Sequence, residues 1–200
     1  MKGVSALLLA AGKSNRMGQL KALLPWKETT LLQYQVGSLQ SGGVSQVIVV
    51  LGYRAESLRS VIVDIPGVLP VLNVRYNTGR ASSVRAGLKK LNQDTEMIMV
   101  LSVDQPRSPD LIARVLKEHR KSQSLVTYPT YNGKGGHPTI FSSSLLPDLM
   151  KIRDSRLGLR EVVARYVGET HRFEVSDKDA LLDLNYPEDY EAVMGVGLAK

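Results

Sequence analysis

The chain has 200 residues, enough for one domain with a sizeable core, and its 43% hydrophobic and 22% charged content is that of a soluble globular protein. It has no cysteine, which excludes disulfides, thiolate metal sites and a cysteine nucleophile. Twenty-six Lys and Arg against nineteen Asp and Glu give +7, but the cations are scattered and only 6% of residues are aromatic, so a solvated basic surface or a small phosphate-rich ligand is expected and no nucleic-acid partner.

The opening apolar run, Val4 to Ala10, is short and leads into a Gly-rich basic loop, which favours a buried first strand over a signal segment. No stretch approaches the roughly 20 apolar residues of a membrane span, so a cytoplasmic protein without a membrane partner is expected.

Apolar, β-branched runs at Ala6 to Ala10, Gln46 to Leu51, Val71 to Tyr76 and Glu96 to Val103 predict central strands of a parallel sheet covered on both faces. Helical patterns alternate with them. Thr29 or Thr30 caps a helix carrying Leu32, Val36 and Leu39, which Gly42-Gly43 ends. Arg54 to Val63 and Ser82 to Leu91 read as helices. Ser108-Pro109-Asp110 opens another that runs to about Lys121: a capping hydroxyl, a proline in the first turn, and a carboxylate at the positive end of the dipole. Beyond Ser124 the pattern is richer in β structure, with a loop or hairpin at Tyr128 to Gly136, a helix at Leu157 to Tyr166, a strand near Arg172 to Val175 and a last helix opening at Pro187. Without repeats or linkers, the expectation is a single α/β domain, doubly wound and mostly parallel in its first half and mixed in its second.

Leu9-Ala10-Ala11-Gly12-Lys13-Ser14-Asn15-Arg16-Met17-Gly18, followed by Lys21, carries the strongest chemical signal. A strand ending in small residues lets a phosphate approach the backbone, and a tight Gly turn exposes N–H groups as an anion-binding nest. Lys13, Arg16 and Lys21 add positive charge there. The spacing is neither that of a P-loop nor G-x-G-x-x-G. Asp104 ends an apolar run interrupted only by Ser102, at the strand edge where open α/β sheets place ligands. From the residues alone it is a turn or cap carboxylate or a metal ligand. Ser82 and Ser83 either cap a helix or touch a nucleotide. Trp26 and Tyr34 read as packing, and His119 and His171 as surface residues.

L-A-A-G-K-S-N-R-M-G-x-x-K resembles the signature of the MobA-like NTP transferases, particularly the molybdenum cofactor cytidylyltransferases. Asn77-Thr78-Gly79-Arg80-Ala81-Ser82-Ser83-Val84-Arg85-Ala86-Gly87 is similar to the family's N-x-G-x-x-S-S-x-R-x-G, Asp104-Gln105-Pro106 to its metal-binding D-x-P, and Gly136-His137-Pro138 to its acceptor-side G-H-P. Arg153-Asp154 through Arg160 resembles G-D-x-G-x-R, and Leu184-Asn185-Tyr186-Pro187-Glu188-Asp189 stands where D-x-D-T-P-E-D is usual. The chain departs from the pattern at Leu20 (proline in relatives), Arg153 (glycine) and Asn185 (aspartate), although an Asn carbonyl is still a hard oxygen ligand.

The resemblance implies a Rossmann-like fold of the nucleotide-diphospho-sugar transferase type, with a nucleotide-binding half at about 1–107 and an acceptor half at about 108–200. It implies a nucleotide site made of Leu9 to Ser14, Arg16 to Gly18, Lys21, Asn77, Gly79, Ser82 and Ser83. It places Mg²⁺ on Asp104 and Asn185, and an acceptor on Gly136, His137, Pro138 and Asp154, with His137 equally readable as a packed turn histidine.

The implied reaction is CMP transfer from CTP to the phosphate of molybdopterin-type cofactor, with release of pyrophosphate and with a molybdoenzyme as a client. Arg16 would hold the outer phosphates, and Lys21 would neutralise the α-phosphate. A sugar phosphate or methylerythritol phosphate acceptor, and a non-catalytic nucleotide- or cofactor-binding role, are the alternative expectations.

Overall fold

The computed structural model describes residues 3–195. Its strands are β1 (Gly3–Ala10), β2 (Pro25–Trp26), β3 (Thr29–Thr30), β4 (Gln46–Leu51), β5 (Val68–Leu72), β6 (Thr95–Ser102), β7 (Val126–Tyr131), β8 (Lys134–Gly135), β9 (Thr139–Ser142) and β10 (Thr170–Glu174). Its helices are α1 (Leu31–Ser41), α2 (Ala55–Arg59), α3 (Arg80–Leu88), α4 (Pro109–Ser122), α5 (Leu146–Leu149), α6 (Leu159–Arg165) and α7 (Pro187–Met194).

The main sheet runs β10-β7-β9-β6-β1-β4-β5, with β8 hairpinned onto β7 and β2-β3 forming a separate ribbon. The strands β6, β1, β4 and β5 are parallel neighbours. β9 enters antiparallel between β6 and β7, which makes the second half mixed as expected.

Alternation along each central strand builds two cores. Ala6, Leu8 and Ala10 face one side of the sheet with Val47, Val49, Met97 and Met99, against α1, α4 and α7. Leu7, Leu9, Ile48, Val50, Ile98 and Val100 face the other side, against α3, α5 and α6. All eight residues of β1 are buried. This two-sided burial explains the unbroken apolar runs, because neither face of these strands meets water.

α1 is capped by a reciprocal Thr30–Gln33 box. Ser108 caps α4 by accepting from the Leu111 N–H at 3.2 Å.

Several boundaries differ from the sequence pattern, three of them for a physical reason that the structure shows. The strand expected at Val71 to Tyr76 lies at Val68–Leu72. Asn73 ends it: its carboxamide oxygen accepts from the Arg75 N–H at 3.0 Å, while its Nδ2 donates to Ser82 and Ser83, so local turn chemistry displaces the ladder. The helix expected over Arg54 to Val63 stops at Arg59 and gives way to turns that bury Ile62. α3 starts at Arg80, two residues early, because a distant carboxylate caps it, as described below.

His119 is not a surface residue. It is 5% exposed, its Nδ1 lies 2.8 Å from the Thr127 hydroxyl, and burial, followed by Arg120 and His171, lowers its pKa to about 4. It falls on the inner stripe of α4 with Leu111, Ile112, Val115 and Leu116, a helical periodicity that places it inward. His171 is partly covered and sits 3.2 Å from the Glu118 carboxylate.

Candidate active site

β1 is flanked by β4 and β6, so the chain winds away in both directions from its carboxyl end. Crevices at such switch points are where open α/β sheets bind ligands. Here a cleft of about 510 Å³ opens, lined by the loop after β1, the segment before α3, the end of β6 and Asn185.

The loop is held in shape by its own backbone. Ser14 adopts a left-handed conformation, its carbonyl accepts from the Met17 N–H at 2.9 Å, and its hydroxyl accepts from the Lys21 N–H at 3.2 Å. Gly18, at φ 69°, makes the return turn that glycine tolerates best. The backbone N–H groups of Gly12, Lys13 and Ser14 find no acceptor among the described residues. A Cβ on Gly12 would meet nothing within 4 Å, so its missing side chain serves open space in the cleft rather than packing. Unpaired donors beside an open space form an anion cradle.

Two charges face each other across this cradle. Lys21 Nζ lies 3.1 Å from Asp104 Oδ2, with the lysine side chain 9% and the carboxylate 28% exposed. Asp104 is fixed by the turn that follows β6. The fully buried Gln35 donates to the carbonyls of Ser102 and Gln105 and accepts from the Arg107 N–H, while Gln105 Oε1 accepts from Ser102 N–H. The Asp104 carbonyl accepts from the Leu184 N–H at 2.8 Å, which brings Asn185 to the cleft. Asp189 Oδ2 accepts from the N–H groups of both Asn185 and Tyr186 at 2.8 Å and sets that turn. Arg16 donates to the Tyr186 hydroxyl at 3.2 Å and lies over its ring.

Arg107 organises the far wall. It is fully buried, and its guanidinium donates to the carbonyls of His137 (2.9 Å), Pro106 (2.9 Å), Leu182 (2.8 Å) and Ala180 (3.0 Å), with Asp183 Oδ1 3.9 Å away. Burial lowers its pKa to about 10, opposed by Asp183 and other carboxylates, so it stays charged near neutral pH. One cation thus ties the turn after β6 to the loops carrying His137 and Asn185.

A second cavity, of about 320 Å³, adjoins the first, and Arg80 lines both. Asp154 reaches it from the opposite half, and both its carboxylate oxygens accept from the Ala81 N–H, at 3.1 and 3.0 Å. Any Cβ on Gly79 would overlap that carboxylate. A negative group at this helix N-terminus is electrostatically favoured, which explains the early start of α3.

His137 precedes a cis peptide bond to Pro138. Burial, then Arg107, Arg80 and Arg160, lower its pKa to about 3, so the ring is neutral. Its Nδ1 is buried without a hydrogen-bond partner among the described residues.

Of the residues expected at the nucleotide, Leu9, Ala10, Ala11, Gly12, Lys13, Ser14, Arg16, Lys21, Asn77, Gly79 and Ser83 line the cleft, together with Asp104 and Asn185. Met17 instead points into the core, Gly18 makes the turn, and the Ser82 hydroxyl donates to the carbonyls of Arg75 and Gly79. On the acceptor side His137 and Asp154 line the second cavity, while Gly136 and Pro138 are buried beside it. Arg80, Arg107, Arg160, Gln35 and Tyr76 were not singled out by the sequence. Arg107 offered one signal: a cation just before an N-cap is opposed by the helix dipole and calls for another partner.

Among the described residues no three His, Cys, Asp or Glu side chains cluster as a metal site. The cleft lining holds one carboxylate, Asp104, and three carboxamides, Asn15, Asn77 and Asn185, of which the Leu184–Asp104 backbone hydrogen bond brings Asn185 in beside the carboxylate. That sparse oxygen set fits Mg²⁺, which keeps several waters and takes its remaining ligands from substrate phosphates.

The MobA-like NTP transferase domain model matches residues 6–171. The chain is 28% identical over 191 residues to the molybdenum cofactor cytidylyltransferase of Escherichia coli K12, covering 95% of each chain. It is 29% identical over 164 residues to nicotine blue oxidoreductase of Paenarthrobacter nicotinovorans, covering 78% of this chain and 79% of that one. The crystal structure of Rv0371c from Mycobacterium tuberculosis H37Rv superposes with a TM-score of 0.83 at 25% identity, covering 98% and 99%, and the same protein has been solved in complex with manganese.

Proposed function

The chain belongs to the MobA-like NTP transferase family and is a nucleotidyltransferase, and from that premise we propose that it transfers CMP from CTP to the phosphate of a molybdopterin-type cofactor, with Mg²⁺, in the cytoplasm. The observation that carries this reading is the paired Lys21 and Asp104 facing the unsatisfied amides of Gly12 to Ser14 in one cleft. Residues 1–107 would hold the nucleotide and residues 108–200 the acceptor.

An acceptor phosphate oxygen forms the new bond to the α-phosphorus as the bond to the β-phosphate oxygen breaks, and pyrophosphate leaves with that electron pair. A phosphate acceptor is already ionised at neutral pH, so the side chains need supply no general base. Their work is positioning and neutralisation of charge. The Gly12–Ser14 amides and Arg16 hold the outer phosphates, for which Arg16 must leave Tyr186. Lys21 shifts from Asp104 toward the α-phosphate. Asp104 and Asn185 would hold Mg²⁺, which would supply neutralisation of the triphosphate's charge. Ala11, buried at the cleft wall, narrows the base pocket by a methyl and favours the one-ring cytosine.

The relative named as an oxidoreductase means that family membership alone leaves the acceptor open. A pyrophosphate-release panel crossing four NTPs with molybdenum cofactor, sugar phosphates and methylerythritol phosphate tests the reading. CTP with molybdenum cofactor is expected to give the fastest release. Equal or faster release with another acceptor would overturn the assignment, and nucleotide binding without any release would leave a carrier role.

A further inference from the structure

The second cavity contains charge that the proposed mechanism does not use. Arg80 and Arg160 both line it, and among the described residues neither guanidinium has a carboxylate within ion-pair distance or a hydrogen-bond acceptor. Asp154, the carboxylate on the same wall, is committed to the Ala81 N–H. Desolvation lowers the pKa of Arg80, and Asp104 and Asp183 raise it by more than Arg160 lowers it. Both arginines are solvent-exposed, so their guanidinium donors are open to an incoming anion, and those planar donors match phosphate oxygens. Apart from Thr139 the rest of the lining is apolar, including Val84, Val100, Phe141 and Ile152, and His137 contributes a neutral ring.

We propose that Arg80 and Arg160 clamp the acceptor's phosphate at the junction of the two cavities, and that the second cavity takes a phosphomonoester with a flat, largely apolar body. The inference rests on the nucleotidyl-transfer reading for its purpose but not for its binding test. Because Arg80 lines both spaces, a phosphate held there lies against the compartment of the nucleotide's phosphates, as in-line attack requires. A sugar phosphate would place hydroxyls against Val100, Phe141 and Ile152 with few polar partners, at a desolvation cost.

The test uses the full chain with Mg²⁺ and α,β-methylene-CTP filling the first cleft. Phenyl phosphate is titrated by calorimetry, with phenol and inorganic phosphate as partial probes. Phenyl phosphate should bind more tightly than either fragment, and Arg160→Met should weaken it by about tenfold or more, the usual scale for a charge-assisted hydrogen bond. Arg80→Met should do the same, with Arg80→Lys as the milder variant if methionine impairs folding, judged by circular dichroism. Arg172→Met, on the distant strand β10, removes the same charge and should change nothing. No binding to the parent, or equal weakening by Arg160→Met and Arg172→Met, would overturn the clamp. A silent pyrophosphate panel with Arg160-dependent binding intact would remove the catalytic reading and keep the clamp. Normal turnover with an unchanged acceptor KM in Arg160→Met would remove the clamp and keep the catalytic reading.

Discussion

The two cavities differ in what they are made of. The first takes about half of its lining from one continuous segment, Leu9 to Ala22, whose Gly12–Ser14 amides are unpaired, and the rest from the segment before α3, the end of β6 and Asn185. The second is assembled from side chains on α3, β6, β9 and the 152–163 segment, and is mostly apolar. A backbone wall offers every nucleotide the same donors, so it suits the triphosphate, which is common to all NTPs. A side-chain wall is re-cut by substitution, so it suits the partner that changes from one relative to another. On this view, changes in the first cavity alter the rate of transfer, and changes in the second alter which molecule receives the nucleotide.

The largest effect expected is at Asp104 and Lys21. Asp104→Ala should remove the metal dependence of turnover, and Lys21→Met should lower kcat roughly 10²- to 10³-fold, the scale of losing one group that stabilises transition-state charge. Nucleotide affinity should fall far less in Lys21→Met. Single-turnover rates across an Mg²⁺ titration measure both. A Lys21→Met enzyme that loses affinity but not rate would break the division between the cavities.

Arg107→Ala comes next, as a stability effect. It takes one donor from each of four carbonyls, of which Ala180 keeps the His137 N–H, and each buried carbonyl left unsatisfied costs about 1–3 kcal/mol. Arg107→Lys, a point charge with fewer donors, should recover only part. Denaturant midpoints decide this. A loss below about 1 kcal/mol would mean that the His137 and Asn185 loops hold without the clasp, and that the cavities are built independently.

Ala11→Gly sharpens the comparison from within the backbone wall. One methyl in a pocket discriminates by about 1–3 kcal/mol, so kcat/KM for GTP should rise by roughly tenfold or more while CTP turnover falls slightly through loop freedom. Equal use of GTP and CTP by the parent would show that the first cavity reads no base.

The smallest effect lies outside both cavities. His119 is held neutral with its pKa lowered to about 4, whereas in the unfolded chain it titrates near 6.5. The unfolded state therefore takes up the proton first, and stability should decline as pH falls from about 6.5 toward 4. His119→Gln should flatten that decline in Tm measured across the window. His137, lowered to about 3, acts in the same direction.

What could be read from the sequence follows the same division. The first cavity was legible because its chemistry is contiguous: small residues at a strand end, a Gly turn and cations in one segment. Asp104 was legible as the end of an apolar run. Asn185 was found by resemblance alone, since a hydrogen bond from Leu184 to the Asp104 carbonyl, across 80 residues, brings it there. Arg80 lay inside a recognised motif and passed unremarked, because the serines beside it fitted a helix cap. The cap is in fact Asp154, which no local pattern reveals. Arg107 and Gln35 were missed for a related reason: their partners are carbonyls, which carry no sequence signature.

The Asp154 carboxylate on the Ala81 N–H, packed against Gly79, also has a thermodynamic meaning. It joins the segment that bears Arg160 to the helix that bears Arg80 and Ser83, one edge in each cavity. A ligand that draws the 153–160 segment inward therefore pulls on the nucleotide's wall, and linkage makes that influence mutual: whatever factor the acceptor adds to nucleotide affinity, the nucleotide must add to acceptor affinity. A cycle of the two affinities, with and without the other ligand, should close in the parent with a factor above one, and the factor should shrink toward one in Asp154→Ala. The joint would then make the two bindings mutual, each substrate held firmly only once the other has arrived.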